Sequence, residues 1–433
     1  MLLRRWQHQS ATEALNKYNS GEQHFLCLAT PGAGKTQMAA EVARRLFAQN
    51  KIDFVFCFSP SVATSKGMRD TLEGALNAPL TGLLGAKGVC VTYQSLNYKD
   101  KGFWAQHILV NVQSYAHFTL ALSGTPWRSD TRPVTLSKYS NVNGSIHCDY
   151  EYGLAEAIRE NVCRVPFDSV IDNDNIRLMS NTDEPKTYNS IGQMLQDESV
   201  SYQTVVEADP VIDFCLQEAS KQLDKVKRTN ANAAVLVVAS TVEHAEKIAE
   251  KLRKGFTDLV RVVTYRNNES DQIIEQFQHT NTQWLVSVGM VSEGTNIPRL
   301  QVCCHLTRIK TELHFRQILG RIMRLSDTDT NKQAHLFAPA QPKIVEYAKR
   351  LYEDIPAEIA SISLLINREP IDLAESNLVE VQVEEQENSI KDINKTPTAK
   401  EFTLETRLPS LTEIYLNSLG FNGRFTKEII QNI

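Results

Sequence analysis

The stretch Ala29 to Thr36, ATPGAGKT, decides how this chain is read. It is preceded by the apolar run Phe25 to Ala29 and followed, from Met38 to Phe47, by apolar residues at helical spacing. Strand, loop and helix therefore meet at this sequence. Small residues at Gly32, Ala33 and Gly34 let successive backbone N–H groups curl round a phosphate, beside the positive end of the following helix. Pro31 belongs to the same turn. Lys35 is placed to reach the β- and γ-phosphates of a nucleotide, and Thr36 to set its hydroxyl on Mg²⁺. A glycine-rich turn with no ligand is the plain alternative, and the flanking strand and helix weigh against it.

With 433 residues and an ordinary apolar fraction, the chain is long enough for two or three domains with their own cores. A net charge of −5 argues against a protein that coats nucleic acid through overall charge and leaves room for a local basic cleft. The eight cysteines contain no C-x-x-C pair and fall mostly in apolar runs, as reduced core residues of a cytosolic protein do. MLLRRWQHQS has no signal-peptide apolar region, and no apolar run approaches the roughly 18 residues that span a bilayer. The expectation is a cytoplasmic protein without a membrane segment.

Before the loop, Leu3-Arg4-Arg5-Trp6-Gln7 leads into a helical pattern. The amide of Gln7 matches the donor and acceptor edge of adenine; a solvated surface glutamine is the alternative. After the loop, Phe54 to Phe58 is an apolar strand ending in Ser59-Pro60-Ser61, and Val89 to Thr92 another ending in Tyr93-Gln94-Ser95. Loops at the carboxyl ends of parallel strands face the ligand crevice, so Ser59, Pro60, Tyr93 and Gln94 are candidate nucleic-acid contacts, with ordinary helix capping as the rival reading. Phe118 to Leu122 then runs into Ser123-Gly124-Thr125-Pro126-Trp127-Arg128.

L-R-x-W-Q, ATPGAGKT, TYQ and SGTPWR, in that order, resemble the first half of a superfamily 2 DEAD/DEAH-box helicase, nearest the Res subunits of type III restriction enzymes. Ala29 in place of the first P-loop glycine is a variation that many helicases share. The second half follows. AVLVVA at 234–239 leads to Ser240-Thr241 and a helical pattern that resemble motif IV, making these two further candidate nucleic-acid contacts. Gly289 to Pro298 resembles motif V, with Gly294 and Asn296 as nucleotide contacts; Asn296 stands where the usual form has Asp, which implies weaker coupling to ATP. Gln317-x-x-Gly320-Arg321-x-x-Arg324 resembles motif VI, and its two arginines share a helical face from which both can point at a γ-phosphate.

The resemblance implies an α/β fold of two RecA-like P-loop domains with parallel sheets, over 1–165 and 210–340, joined by a connection over 166–209. A mainly helical extension follows over 341–433. It implies an ATPase using ATP and Mg²⁺ to drive a helicase or translocase, on DNA rather than RNA. Catalytic roles fall to Gln317, Arg321 and Arg324. Glu369 to Glu387 carries seven acids and no Lys or Arg, a solvated segment by composition. Ser410 to Ile433 resumes helical spacing at Leu411, Ile414, Tyr415, Leu419 and Ile429, so the extension is a candidate docking site for a partner subunit.

One piece of the pattern is missing. Between TYQ and SGTPWR the family places a strand ending in D-E-x-H, whose Asp holds Mg²⁺ through its shell and whose Glu orients water. No Asp-Glu pair occurs in that interval. Phe103, Trp104, His107, Ile108, Asn111, Val112 and Tyr115 share one helical face, as the helix after the motif would. Either the strand and its acids are deleted, or His107 to Val110 is the strand with Asn111 in the acid's place. Both readings lose the carboxylates, and the first leaves a void in the sheet.

Overall fold

The computed structural model describes residues 3–96, 116–124, 138–139, 146–180, 185–197, 200–257, 259–264, 266, 270–288, 297–326, 329–353 and 417–430. The first domain opens with α1 (Arg5–Asn19), β1 (His24–Ala29) and α2 (Lys35–Ala48), followed by β2 (Val55–Ser59), α3 (Val62–Leu76) and β3 (Gly88–Thr92). After a short 3-10 turn, Tyr93–Leu96, come β4 (Thr119–Ser123), β5 (Lys138–Tyr139), β6 (Ile146–His147), β7 (Tyr150–Tyr152) and α4 (Leu154–Arg159). β1 lies between β4 and β7 and is parallel to both, whereas β2 and β3 form a separate parallel pair. α3 starts where Ser61 Oγ accepts the Thr64 N–H, and it ends at Asn77, whose left-handed backbone stops the helix.

The second domain contains β8 (Val165–Asn173), β9 (Ile176–Ser180), β10 (Lys186–Tyr188), α5 (Ile191–Met194), α6 (Tyr202–Glu207) and α7 (Asp209–Lys227). β11 (Ala234–Ala239), α8 (Val242–Gly255), β12 (Val260–Val263), α9 (Ser270–His279), β13 (Trp284–Val288) and β14 (Leu300–Leu306) follow. The domain continues through α10 (Glu312–Ile322), β15 (Gln333–Pro339) and α11 (Pro342–Glu353), and the chain returns at β16 (Asn417–Phe421) and β17 (Phe425–Ile429). Its main sheet has seven strands in the order β12-β13-β11-β14-β15-β8-β17. Every pairing in it is parallel except that of β17 with β8. β11 and β14, continuous apolar runs in sequence, are buried along their whole length, as central parallel strands must be.

Two expectations are corrected. Residues 166–209 are more than a connection: β8 pairs with β15 from Pro166 opposite Ala334 to Ile171 opposite Pro339, inside the second domain's sheet. The described part of the carboxyl-terminal stretch, 417–430, is two strands and not a helix. β16 pairs antiparallel with β9, and β17 with β8. Within the extension expected to be mainly helical, Pro342–Glu353 forms the helix α11. Leu411, Ile414, Tyr415 and the acidic run 369–387 lie outside the described residues, as does the segment 97–115. Among the described residues no helix is long and apolar enough to cross a membrane.

The two domains meet where the chain passes between them. Cys163 bridges antiparallel to Arg324, and the Arg164 N–H donates to Met323 O at 2.8 Å. The buried Arg164 guanidinium donates to the carbonyls of Ile322 (2.7 Å), Pro298 (2.8 Å) and Leu300 (2.9 Å), and it is paired with Asp329. A buried charge is tolerable only when paired and bonded in this way, here through both terminal nitrogens. This anchor holds the start of β8 against the end of α10, and so fixes the helix that faces the P-loop.

Candidate nucleotide-binding cleft

β1 delivers the chain to Ala29, and the loop Thr30 to Gly34 returns it into α2. Gly32 and Gly34 have φ of 82° and 88°, backbone that side chains rarely adopt, which is what lets the loop curl back. The Lys35 ammonium donates to Ala29 O at 2.7 Å and to Thr30 O at 3.2 Å, across the mouth of the loop. Burial pushes the Lys35 pKa down to about 8, opposed in part by Cys27, and the Arg324 guanidinium adds a smaller push downward. A phosphate arriving here would stabilise the ammonium and raise its pKa again. Thr36 sits in the first turn of α2 and is half-buried.

α1 is pinned to this loop from outside. Gln7, wholly buried, donates from Nε2 to Gly34 O at 2.9 Å and accepts the Arg4 N–H on Oε1 at 2.8 Å. The Arg4 guanidinium donates to Ala33 O at 2.7 Å. A Cβ on Gly34 would lie 2.6 Å from Gln7 Nε2, so this glycine is required by close approach as well as by its φ. Trp6 stacks on Tyr152 with ring centroids 4.8 Å apart. The Gln7 amide is thus engaged within the protein, its Nε2 on the P-loop backbone and its Oε1 at the start of α1. Arg4 was quoted in the sequence without a role, and its position three residues before Gln7 was the only signal of one.

Motif VI comes from the other side. α10 is capped by Thr311, whose hydroxyl accepts the His314 N–H at 3.4 Å, and Arg316 is bonded to Glu312 at 2.9 Å. Gln317 is half-buried on this helix. The place where a Gly320 Cβ would sit is only 2.6 Å from both Cβ and Cγ of Pro31, so helix and loop touch. Arg324 Cγ is 3.3 Å from the equivalent position on Gly32. Burial pushes Arg324 down to about 10, and the neighbouring Arg321 adds to it. Lys35, Arg321 and Arg324 therefore converge on one cleft and repel one another. Such an arrangement stabilises a polyanion.

The other candidates are placed as follows. Ser59 ends β2, buried, and donates to Ser61 O at 3.0 Å. Pro60 follows it. Tyr93 stacks on Phe58 at 6.3 Å, the planes 11° apart; the Gln94 side chain lies outside the described residues. Ser240 Oγ accepts the Arg308 N–H at 3.1 Å, and Thr241 caps α8 by accepting the His244 N–H at 3.1 Å. The hydroxyls of Ser59, Ser240 and Thr241 are thus engaged within the protein. Thr125 to Arg128 and Gly289 to Asn296, including Gly294 and Asn296, lie outside the described residues.

The family described as type III restriction enzyme, res subunit, matches residues 1–147, and the helicase conserved C-terminal domain matches residues 216–326. The chain belongs to the superfamily 2 helicases. Within them it is related to the Res-like group. An uncharacterized protein of Mycobacterium leprae is 26% identical over 388 residues, 81% of this chain; the chain spans 64% of that relative's length. Two solved structures share the fold. A DNA-bound type ISP restriction-modification enzyme, LlaBIII, is 13% identical with a TM-score of 0.52, over 86% of this chain and 31% of its own. A fragment described as the HsdR subunit of a type I restriction enzyme from Vibrio vulnificus is 17% identical with a TM-score of 0.54, over 82% of this chain and 67% of its own. The two matched domains lie on either side of the cleft described above, as the two halves of a helicase core.

Proposed function

We propose that this chain is the two-domain core of a DNA translocase or helicase that holds ATP between its domains and hydrolyses it slowly. The observation that carries the reading is the contact of motif VI with the P-loop, Gly320 against Pro31 and Arg324 against Gly32. It brings Lys35 of one domain and the arginines of the other onto a single phosphate position. The loop would bind the β-phosphate through the N–H groups of Gly32 to Lys35. The left-handed glycines leave the open cradle that this needs. Thr36 is the residue that would hold Mg²⁺, which would supply charge neutralisation to the phosphates when bound.

The choice of DNA follows from the resemblance to restriction-type subunits. A cytoplasmic setting is supported by the eight unpaired thiols. Slow turnover follows from the sequence: the interval between Leu96 and Ser123 offers only Asp100, between Lys99 and Lys101, as an acid. Binding and hydrolysis separate experimentally. Titration with a fluorescent ATP analogue should show saturable binding that Lys35→Ala weakens by about 1.5–3 kcal/mol, the scale of a charged hydrogen bond. Equal affinity in the two proteins removes the P-loop from the reading.

A further inference from the structure

β2 and β3 are parallel partners, and their register sets Cys57 opposite Cys90. Partner positions in parallel strands share one face of the sheet, so both thiols enter the apolar layer with Ala40 and Ala43 of α2 and Leu72 and Leu76 of α3. Cys90 is buried there and Cys57 half-buried, and the two thiols hydrogen-bond to each other. The cysteines of the other described strands do not face one another: Cys27 stands opposite Leu122 and Tyr150, and Cys303 and Cys304 opposite Leu336 and Phe337. Two further features mark the pair. Two residues earlier on the same face, Gly88 stands opposite Val55, and a Cβ on it would overlap Val55 O, so the backbones approach closely beside the thiols. Arg69 of α3 donates from Nη2 to Cys90 O at 3.2 Å, and its Nε is buried with no hydrogen-bond partner. A cation held beside a thiol favours the thiolate. The contact with Cys57 holds Cys90 below its ordinary value, with Arg69 helping and burial and Glu73 opposing. The same contact, with burial, pushes Cys57 up. Cys90 therefore ionises first, and Cys57 keeps its proton.

We propose that Cys57 and Cys90 are a site of reversible oxidation, forming a disulfide between β2 and β3 by exchange with a small-molecule disulfide. Neighbouring strands lie about 4.8 Å apart, inside the range of about 4.4–6.8 Å that disulfides span between Cα atoms. Parallel Cβ atoms keep nearly that spacing, about 1 Å more than a relaxed bridge has, so the strands must draw together. The bond is then strained and easily reduced, which suits a transient link in a reducing compartment and not a permanent staple. The more exposed Cys57 meets the reagent. Its Sγ attacks one sulfur of the small disulfide, its proton passes to Cys90 and on to the departing thiolate, and a mixed disulfide remains. The Cys90 thiolate then attacks Cys57 Sγ, and the second small thiolate leaves and takes up the proton that Cys90 released. Two protein thiols are oxidised, and one small disulfide is reduced to two thiols. The link stands two residues before Ser59 and three before Tyr93, so it would hold the loops at the ends of β2 and β3 at one spacing. A consequence for nucleic acid there rests on the motor-core reading; the site itself does not.

The test uses the full chain, fully reduced, then exposed to oxidised glutathione, quenched with N-ethylmaleimide and digested with trypsin without reductant. The expected product is the peptide 52–66 joined to the peptide 88–99, lighter than their sum by two hydrogens. Dithiothreitol should return both cysteines to the maleimide-reactive form. Cys90→Ser should stop the reaction at a glutathione adduct on Cys57. Cys57→Ser should slow modification of Cys90 by about tenfold, because the buried thiol must then meet the reagent itself. Three results overturn the proposal: separate glutathione adducts on Cys57 and Cys90 in the native chain, a link that forms only in urea, and linkage of either cysteine to the other six as often as to its partner. ATP-analogue titration of the reduced chain reports on the motor core separately, since a link without nucleotide binding removes only that reading, and nucleotide binding without a link removes only this one.

Discussion

Gly320 has no side chain because Pro31 stands in its place, 2.6 Å from where a Cβ would be. Two effects compete on Gly320→Ala. Helix propensity favours alanine by about 1 kcal/mol, while overpacking against a rigid ring costs about 1–3 kcal/mol unless the domains part. We expect the cleft to open: nucleotide still binds, the melting temperature does not rise, and scattering shows no compaction on adding a non-hydrolysable ATP analogue. A raised melting temperature would mean that helix and loop do not touch. A second expectation concerns acid. His244, His305, His314 and His335 are buried, and burial pushes them down to about 4, 3, 4 and 3. The unfolded chain therefore takes up these protons first, so stability is full above about pH 6.5 and is lost as pH falls toward 4. Asp168 acts the other way, since burial pushes it up to about 7 and the folded state keeps its proton. Four groups outweigh one, and the urea midpoint should fall between pH 7 and pH 5. A midpoint that holds or rises there would show that the histidines are not held neutral.

At the level of elements, the corner between β16 and β17 shows what the sequence did and did not reveal. Leu419 and Ile429 were counted toward a helical period, but Asn422-Gly423 lies between them and is a turn signal. The turn nests against the one between β8 and β9. Asn422 and Gly423 N–H groups both donate to Asn175 O at 2.9 Å, Asn173 Nδ2 donates to Gly423 O at 3.0 Å, and the Arg424 N–H donates to Asp174 Oδ1 at 2.7 Å. A Cβ on Gly423 would overlap Asp174 Oδ1 and Asn175 N. Gly423→Ala should therefore release β16 and β17, costing about 1–3 kcal/mol, and speed amide exchange in β17 while sparing β11. Unchanged exchange in β17 would mean the corner can shift without loss. β8 was missed for a different reason. Pro166, Asp168 and Asp172 interrupt its apolar run, and nothing local says that Asp168 will be buried with its pKa pushed up to about 7. β1, β11 and β14 were legible because their runs are unbroken, and the P-loop because its chemistry is confined to eight residues.

Across the whole molecule, both halves of the cleft were readable as motifs, but their contact was not. Gly320 and Pro31 are far apart in sequence and meet because Arg164 ties the start of β8 to the carbonyls at the end of α10. That anchor gives the cleft its cations and says nothing about acids. The Lys35 ammonium, the loop amides and the two arginines can bind a triphosphate, since that task is charge complementarity. Hydrolysis also needs a group that orients water and shares the metal, and losing an electrostatic device of this kind costs about 10²- to 10³-fold per donor. With two acids missing we expect steady-state ATP turnover, at saturating DNA, to be several powers of ten below that of the same chain carrying an inserted strand ending in D-E-x-H between Leu96 and Phe103. Turnover near about 10 per second in the chain as it stands, the median for enzymes, would defeat the expectation. It would show that an acid elsewhere, with Asp100 and Glu293 the first to replace by Asn and Gln, reaches the metal.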